Sequence, residues 1–467
     1  MSKRIISITM VCSMLLMLAL PGCQSSPSVN ATVPVASAAS SAPNTSDVSS
    51  TSTSSEKFTI KTSLQAGELS DDQIKEYEAA NTNITIERVT ADDSKLMAML
   101  AAGNAVDVIR TTGLSTIPTY VSRGLLLPLD SYIEKSTAMK ASDFTEVEKL
   151  YEFDGTNQGT GHVYGFAKDW SVDTSVFINK KLFKAANVEI PSLDTPLTSS
   201  QIGELAKKLT QKSNGKVSVF GYVVPINTSQ IEVNLASLGK SLWSDDLKAS
   251  RFSSSEVKSI LQYYVDLAKA GYIASDANPT ADGWGGTDFM SDKIAMFQVG
   301  YWYSGLLRSN DKIKDRLNDF VMIPSISWDG GKAMPAVTGG TGAAVYAKTK
   351  NPDAVWKFME WYFAGSPATD RAKSGYGIAS LKSLQSLMPA STDWDKALNT
   401  VNQKDMAKVD LSEIKTNKYC SETSTDAIIT KYLDPVLYGK DTLDNAAAAM
   451  DKAVADVISE NMDISGN

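Results

Sequence analysis

The chain has 467 residues, 43% of them hydrophobic and 21% charged, with a formal net charge of -8. That length predicts two domains or one large two-lobed domain, and the balance is that of a globular protein. The acidic excess and the lack of a dense Lys/Arg stripe argue against a nucleic-acid partner. A single histidine argues against a histidine-built metal site, and Cys12, Cys23 and Cys420 form no zinc-like cluster. No cofactor is expected. Cys420 is expected to be an isolated thiol, because the other two cysteines lie near the start of the chain.

The chain opens "MSKRIISITMVCSMLLMLALPGCQSS". Lys3 and Arg4 form a short positive region, and Ile5–Leu20 form an apolar run shorter than a membrane span. This is the pattern of a secretory signal over 1–22. "LPGC", ending at Cys23, resembles a bacterial lipobox. That resemblance implies that Cys23 becomes the first mature residue and carries lipid, anchoring the protein to a membrane with two or three acyl chains. The alternative is a soluble secreted protein with a chance cysteine at the cleavage site. Residues 23–57 are rich in Ser, Thr, Ala and Pro, contain no aromatic residue, and read as a disordered tether. Loss of 1–22 leaves 43 basic and 53 acidic residues, a net of -10, so the body would hang beside an anionic membrane without adhering to it.

"FTIKTSL" from Phe58 alternates and predicts a strand. "DDQIKEYEAANT" spaces Ile74 and Tyr77 for a helix with acids in its first turn. "ITIERVT" predicts a second strand. "SKLMAMLAAGNAVDVI" predicts a helix ending at Gly103 and then a strand ending near Ile109. After a turn at Gly124, a further helix starts near Asp130. The β-α-β-α-β-α order predicts an α/β architecture with a largely parallel sheet. No glycine string of the dinucleotide or P-loop kind lies between strand and helix. "VYGF" and "TSVFIN" are expected as strands that leave this first unit. From Ile202 to Phe363 helical stretches dominate, among them "NDKIKDRLNDF" and "PDAVWKFMEWYFAG". Pro and Gly mark no clean linker, which predicts lobes made of discontinuous segments.

Several segments, in this order, resemble the sugar-binding proteins of ABC importers, the maltose-binding-protein-like group. They include "LPGC" with its tether, "LMAMLAAGNAVDVI", "YVSRGLLLPLDSYI", "VYGFAKDWSVDTSVFINKKLFKAANVEIP", "FMSDKIAMFQVGYWYSG" and "NPDAVWKFMEWYFAGSPATDRAKSGYGIAS". The chain departs from the group at "FINKKLF", where a tyrosine is common, and at "DTPLTSSQIGEL", which lacks the usual tryptophan. The resemblance implies a two-lobed periplasmic-binding-protein-like α/β fold with a ligand cleft between discontinuous lobes. Lobe one would be 58–167 and 338–390, and lobe two 168–337 and 391–467. It also implies a monomeric, non-catalytic receptor that passes a carbohydrate to the permease of an ABC transporter.

A sugar needs rings against its C–H face and polar groups at its rim. "FQVGYWYSG" puts Tyr301, Trp302 and Tyr303 in a row, and three consecutive side chains cannot all face one core. The resemblance places Trp302 in the cleft, after a strand and a turn at Gly300, with Tyr301 and Tyr303 divided between packing and the cleft edge. At the lobe crossing, "AKDW" offers Asp169 and Trp170; the plain alternative for Asp169 is a solvated turn carboxylate or a cap. Trp284 is bracketed by glycines and is either a ligand ring or a loop anchor. Gly339 and Gly340 would let backbone approach a ligand, or simply turn. Tyr376 lies between small residues as a cleft wall or a packed loop. Arg110 and Thr111 end a strand at a carboxyl edge, where ligands collect in α/β sheets, while Asp107 has a structural role there. Trp328, beside Gly330 and Gly331, is expected as an exposed ring on a hairpin-type turn. Trp356 and Trp361 form a core stripe.

The competing class is a secreted glycosidase, which needs two carboxylates across one bond. No "GxSxG" elbow occurs, and His162 has no evident Ser or Cys partner.

Overall fold

The computed structural model describes residues 57–91, 93–103, 106–338 and 340–465. The signal segment, Cys23, nearly all of the tether and Gly339 lie outside the described residues. The strands in chain order are β1 (Phe58–Thr62), β2 (Ile84–Arg88), β3 (Val108–Thr111), β4 (Glu152–Phe153), β5 (His162–Val163), β6 (Gly165–Trp170), β7 (Val176–Asn179), β8 (Gln211–Ser213), β9 (Lys216–Val223), β10 (Ile294–Gln298), β11 (Phe320–Ile323), β12 (Gly340–Val345) and β13 (Ile378–Ala379). They build a six-stranded sheet in the order β13-β6-β12-β3-β1-β2 and a five-stranded sheet in the order β11-β7-β10-β9-β8, besides the small β4-β5 pair.

β1 pairs in parallel with β2 and β3, through the helices Asp71–Ala80 and Asp93–Ala101, as the sequence predicts. The pairings β3–β12, β12–β6 and β6–β13 are antiparallel, so the sheet is mixed rather than largely parallel. The stretch "VYGF" does not leave the first unit. It leads into β6, which stays between β12 and β13 through Trp170. The lobe boundary expected after Ala167 therefore falls inside a strand. Lys168 and Asp169 are both buried there, the ammonium of Lys168 donating to the Glu68 carbonyl and the carboxylate of Asp169 paired with Arg371. β7 does belong to the second sheet. "NDKIKDRLNDF" is a short 3-10 segment, Lys314–Asp319, feeding β11 rather than a regular helix.

The chain crosses between the sheets after Trp170, returns between Ile323 and Gly340, and crosses again after Ala379 to the helix Asp393–Met406. That helix lies on β11, where the indole N–H of Trp394 donates to the carbonyl of Phe320 at 2.9 Å. The first two crossings share one end of each sheet. There β3 and β6 end and β12 begins, opposite the ends of β9 and β10.

β1 and the edge strand β2 alternate exposed and buried residues, whereas β6, β7 and β10 are buried throughout, as central strands covered on both faces must be. The helix Pro352–Ala364 lays Val355, Trp356, Phe358, Met359, Tyr362 and Phe363 on the six-stranded sheet, with Trp361 half-buried at the side of this stripe. The helices Glu422–Leu437 and Leu443–Ser465 complete the core beside the five-stranded sheet with Ile429, Leu433, Met450, Val454 and Ile458. Cys420 is a free, buried thiol in the same cluster. Trp328 is not an exposed ring; it is half-buried and meets Tyr263 edge-on at 5.2 Å. Among the described residues no helix is long and apolar enough to cross a membrane.

Candidate functional site

A cavity of about 430 Å³ opens where the two sheets face each other. From the six-stranded side it is walled by Arg110, Thr112, Asp169, Trp170, Gly340 and Thr341. The crossings contribute Ser171, Asp173, Thr174 and Thr338. The five-stranded side supplies Asn227, Ser229, Gln230, Gln298, Gly300 and Trp302, and Tyr376 closes one end.

The row Tyr301-Trp302-Tyr303 divides as side-chain geometry requires. Tyr301 and Tyr303 are fully buried. The Tyr301 hydroxyl donates to Asn399 at 2.7 Å and that of Tyr303 to the Gly286 carbonyl at 2.6 Å. Trp302 alone stays half-exposed on the cavity, at the start of the helix Tyr303–Ser309. Its ring lies 5.4 Å from Tyr376 and 6.0 Å from Trp284, the latter nearly parallel at 22°. Gly300 is needed for close approach: a Cβ there would fall 2.2 Å from Asp173 Oδ1, 2.3 Å from Ser171 Oγ and 2.6 Å from Trp302 Cδ1.

Asp169 is neither a solvated turn carboxylate nor a cap. It pairs with Arg371 at 2.7 Å, both side chains nearly out of solvent, and Arg371 also stacks 3.6 Å over the ring of Tyr376. Burial pushes the Asp169 carboxyl up, while Arg371 pulls it down. Trp170 lines the cavity, and its buried indole N–H meets no acceptor among the described residues. Arg110 reaches the cavity with its guanidinium held by Glu68 at 2.7 Å. Gly340 sits at the rim, where a Cβ would come 2.8 Å from the Asp169 carbonyl.

Three expected residues do not line this cavity. Thr111 follows Arg110 in β3 and so points to the opposite face. It is buried, with its hydroxyl donating to Tyr151 at 3.2 Å. Tyr303 is committed to the core. Trp284 lies on a neighbouring cavity, its ring folded over Gly286.

The residues that sequence reasoning missed are polar. Gln298 accepts from the Tyr222 hydroxyl at 2.6 Å and donates to Gln230, which in turn donates to Tyr264 at 3.1 Å. A lone glutamine closing the apolar run "IAMFQ" was a usable signal. Asn227 caps the helix Thr228–Ser237, a role that "NTSQ" foreshadows. Asp173 accepts from the backbone N–H and hydroxyl of Thr338, both at 3.1 Å. Burial pushes its carboxyl up to about 7, so it holds a proton part of the time at neutral pH.

Two α/β lobes facing each other across such a cavity define a two-lobed solute-binding fold. Residues 61–364, well over half of the chain, match the family of bacterial extracellular solute-binding proteins, and the chain belongs to that family. It is 25% identical over 315 residues to the maltotriose-binding protein of Pyrococcus abyssi, covering 66% of this chain and 62% of that one. It is 23% identical over 285 residues to the arabinooligosaccharide-binding protein of Halalkalibacterium halodurans, covering 60% and 59%. The matches thus span about three-fifths of those relatives' own length. Among solved structures, an ABC substrate-binding protein from Listeria monocytogenes in complex with cycloalternan superposes with a TM-score of 0.69 at 22% identity, over 87% of this chain and all of that one. The sugar-binding protein MalE of Xanthomonas citri gives 0.62 at 16% identity, over 86% and 98%.

Proposed function

We propose that this chain is a receptor for a neutral carbohydrate, an oligosaccharide, held between its lobes and handed on unchanged to an ABC transporter permease. The observation that carries the reading is the composition of the cavity wall. Trp170, Trp302 and Tyr376 supply rings, and Asn227, Gln230 and Gln298 supply uncharged amides. Arg110 is paired with Glu68 and Asp169 with Arg371, and Asp173 is partly neutral. Such a wall offers stacking surface and hydroxyl partners without a free fixed charge, which suits a sugar better than an ion. Relatives named for maltotriose and arabinooligosaccharides, and a structural neighbour holding cycloalternan, support the same substrate class.

The lipobox-like "LPGC" supports lipid anchoring through Cys23 on the extracytoplasmic face, with 23–57 as a tether. The first lobe is best drawn to Trp170 and resumed at Gly340, following the strands. The protein acts without catalysis. Its Asp169 carboxylate is pinned by Arg371 and is poorly placed to serve as the acid or nucleophile of a glycosidase.

Titration calorimetry against malto-, β-manno- and arabino-oligosaccharides, followed by product analysis, tests the proposal. Binding with the sugar recovered intact is expected. Tight binding of an amino acid or metal with no sugar bound, or cleavage of the bound sugar, overturns it.

A further inference from the structure

A second cavity, also of about 430 Å³, lies beside the first, between the end of β9, the loop 274–284 and the helix Glu422–Leu437. Pro225, Gln298 and Val299 belong to both walls, so the two cavities adjoin. The rings run the same way: Tyr376, then Trp302, then Trp284. Trp284 is 43% exposed, an unusual place for an indole without a partner surface.

The Trp284 loop is built to hold that ring still. The Asp282 carboxylate accepts from the backbone N–H groups of Trp284, Gly285 and Thr287 at 3.3, 2.7 and 2.6 Å. Gly285 takes φ +97, and Gly286 leaves room for the indole, which would lie 2.0 Å from any Cβ there. A ring fixed in this way loses little freedom when something stacks on it. Polar groups stand around it. The buried Ser275 hydroxyl has no hydrogen-bond partner among the described residues, and it lines the cavity. Asp434 sits near Asp276, and burial together with that neighbouring carboxyl raises its pKa.

We propose that this second cavity is an outer subsite, in which Trp284, Ser275 and the Asp276–Asp434 carboxyls receive the units of the oligosaccharide that extend beyond the central cavity. The assignment rests on the carbohydrate reading above and adds a direction to it: the chain leaves past Trp302 toward the C-terminal helices. An apolar ring beside hydroxyl acceptors is the pairing a pyranose or furanose unit requires.

The full chain is titrated with malto-, β-manno- and arabino-oligosaccharide ladders from disaccharide to hexasaccharide. For the ladder that binds, affinity should rise beyond the disaccharide. Trp284→Ala should cost the tetrasaccharide at least tenfold and the disaccharide less than threefold. Thr430→Trp, a bulky change at an exposed position on the wall of the second cavity, should flatten the ladder to the disaccharide affinity with an unchanged melting midpoint. A flat wild-type ladder, or variants that weaken every length equally, overturns the outer subsite while the sugar reading stands. Failure of every ladder overturns both.

Discussion

The pair Asp169–Arg371 can be taken apart from either side, and the two routes should differ in their pH dependence. The nitrogen and oxygen lie 2.7 Å apart, with side chains 11% and 5% exposed. Asp169→Ala strands a guanidinium that cannot shed its proton, and breaking a buried pair in this way costs about 3–5 kcal/mol. The stranded guanidinium keeps its charge at pH 5 and pH 7 alike. Arg371→Met strands a carboxyl, which escapes by protonating. Arg371 is what holds Asp169 down against its burial, so its pKa climbs further in the variant. A carboxyl that is neutral when folded and ionised when unfolded costs about 1.4 kcal/mol for each pH unit above its ordinary value. Arg371→Met should therefore be up to about 3 kcal/mol less costly at pH 5 than at pH 7. The double variant should be milder than the sum of the two at pH 7. Guanidinium unfolding of all four proteins at both pH values measures this. An Arg371→Met penalty that ignores pH, or an Asp169→Ala penalty below about 1 kcal/mol, refutes the reasoning.

Other outcomes follow from the same geometry. Trp302→Ala should weaken sugar binding at least tenfold by calorimetry, and an unchanged dissociation constant removes that ring from the site. Gly300→Ala drives a methyl into Asp173, Ser171 and Trp302; it should cost about 1–3 kcal/mol of stability and abolish tight binding, so wild-type affinity would show that the cavity floor takes no part. Asp173 and Glu422 are pushed up to about 7, and Glu148 and Glu232 to about 8, chiefly by burial. Folding favours their protonated forms, so this stability is fully present below about pH 4 and is lost as pH rises through 7 to 8. Lys168, brought down to about 7 by burial, acts in the opposite sense, but it is one group against four. The melting midpoint should therefore fall between pH 5 and pH 8, and a rising midpoint contradicts the assignment.

The parts of the fold that could be read in advance are those with a local signature. β1, β2 and β3 alternate or end in turns, and the stripe on Pro352–Ala364 has helical spacing. β9 was missed, because "KVSVFGYV" lies between helices and only its inner half is buried. β6 was misplaced, because a buried lysine and aspartate in mid-strand look like a loop until their partners, far along the chain, are known. The site divides in the same manner. Trp302 carried a family pattern and its own packing puzzle. Thr111 could have been set aside by strand alternation once Arg110 was chosen. Arg371, in "ATDRAKSGYG", has no local mark, and only the fold brings it to Asp169 from 202 residues away.

The last described helix bears on how the molecule is made. Ala446, Ala447, Met450, Val454 and Ile458 are all nearly or fully buried in the core that β7 and β9 begin. That half of the protein is unfinished until the helix joins it, so the five-stranded sheet keeps an uncovered apolar face for as long as the chain is incomplete. On the exported reading this face must be shielded on the far side of the membrane until the last segment has crossed. A chain truncated before Leu443 should accordingly be degraded or aggregate there, although β1, β2 and β3 are complete.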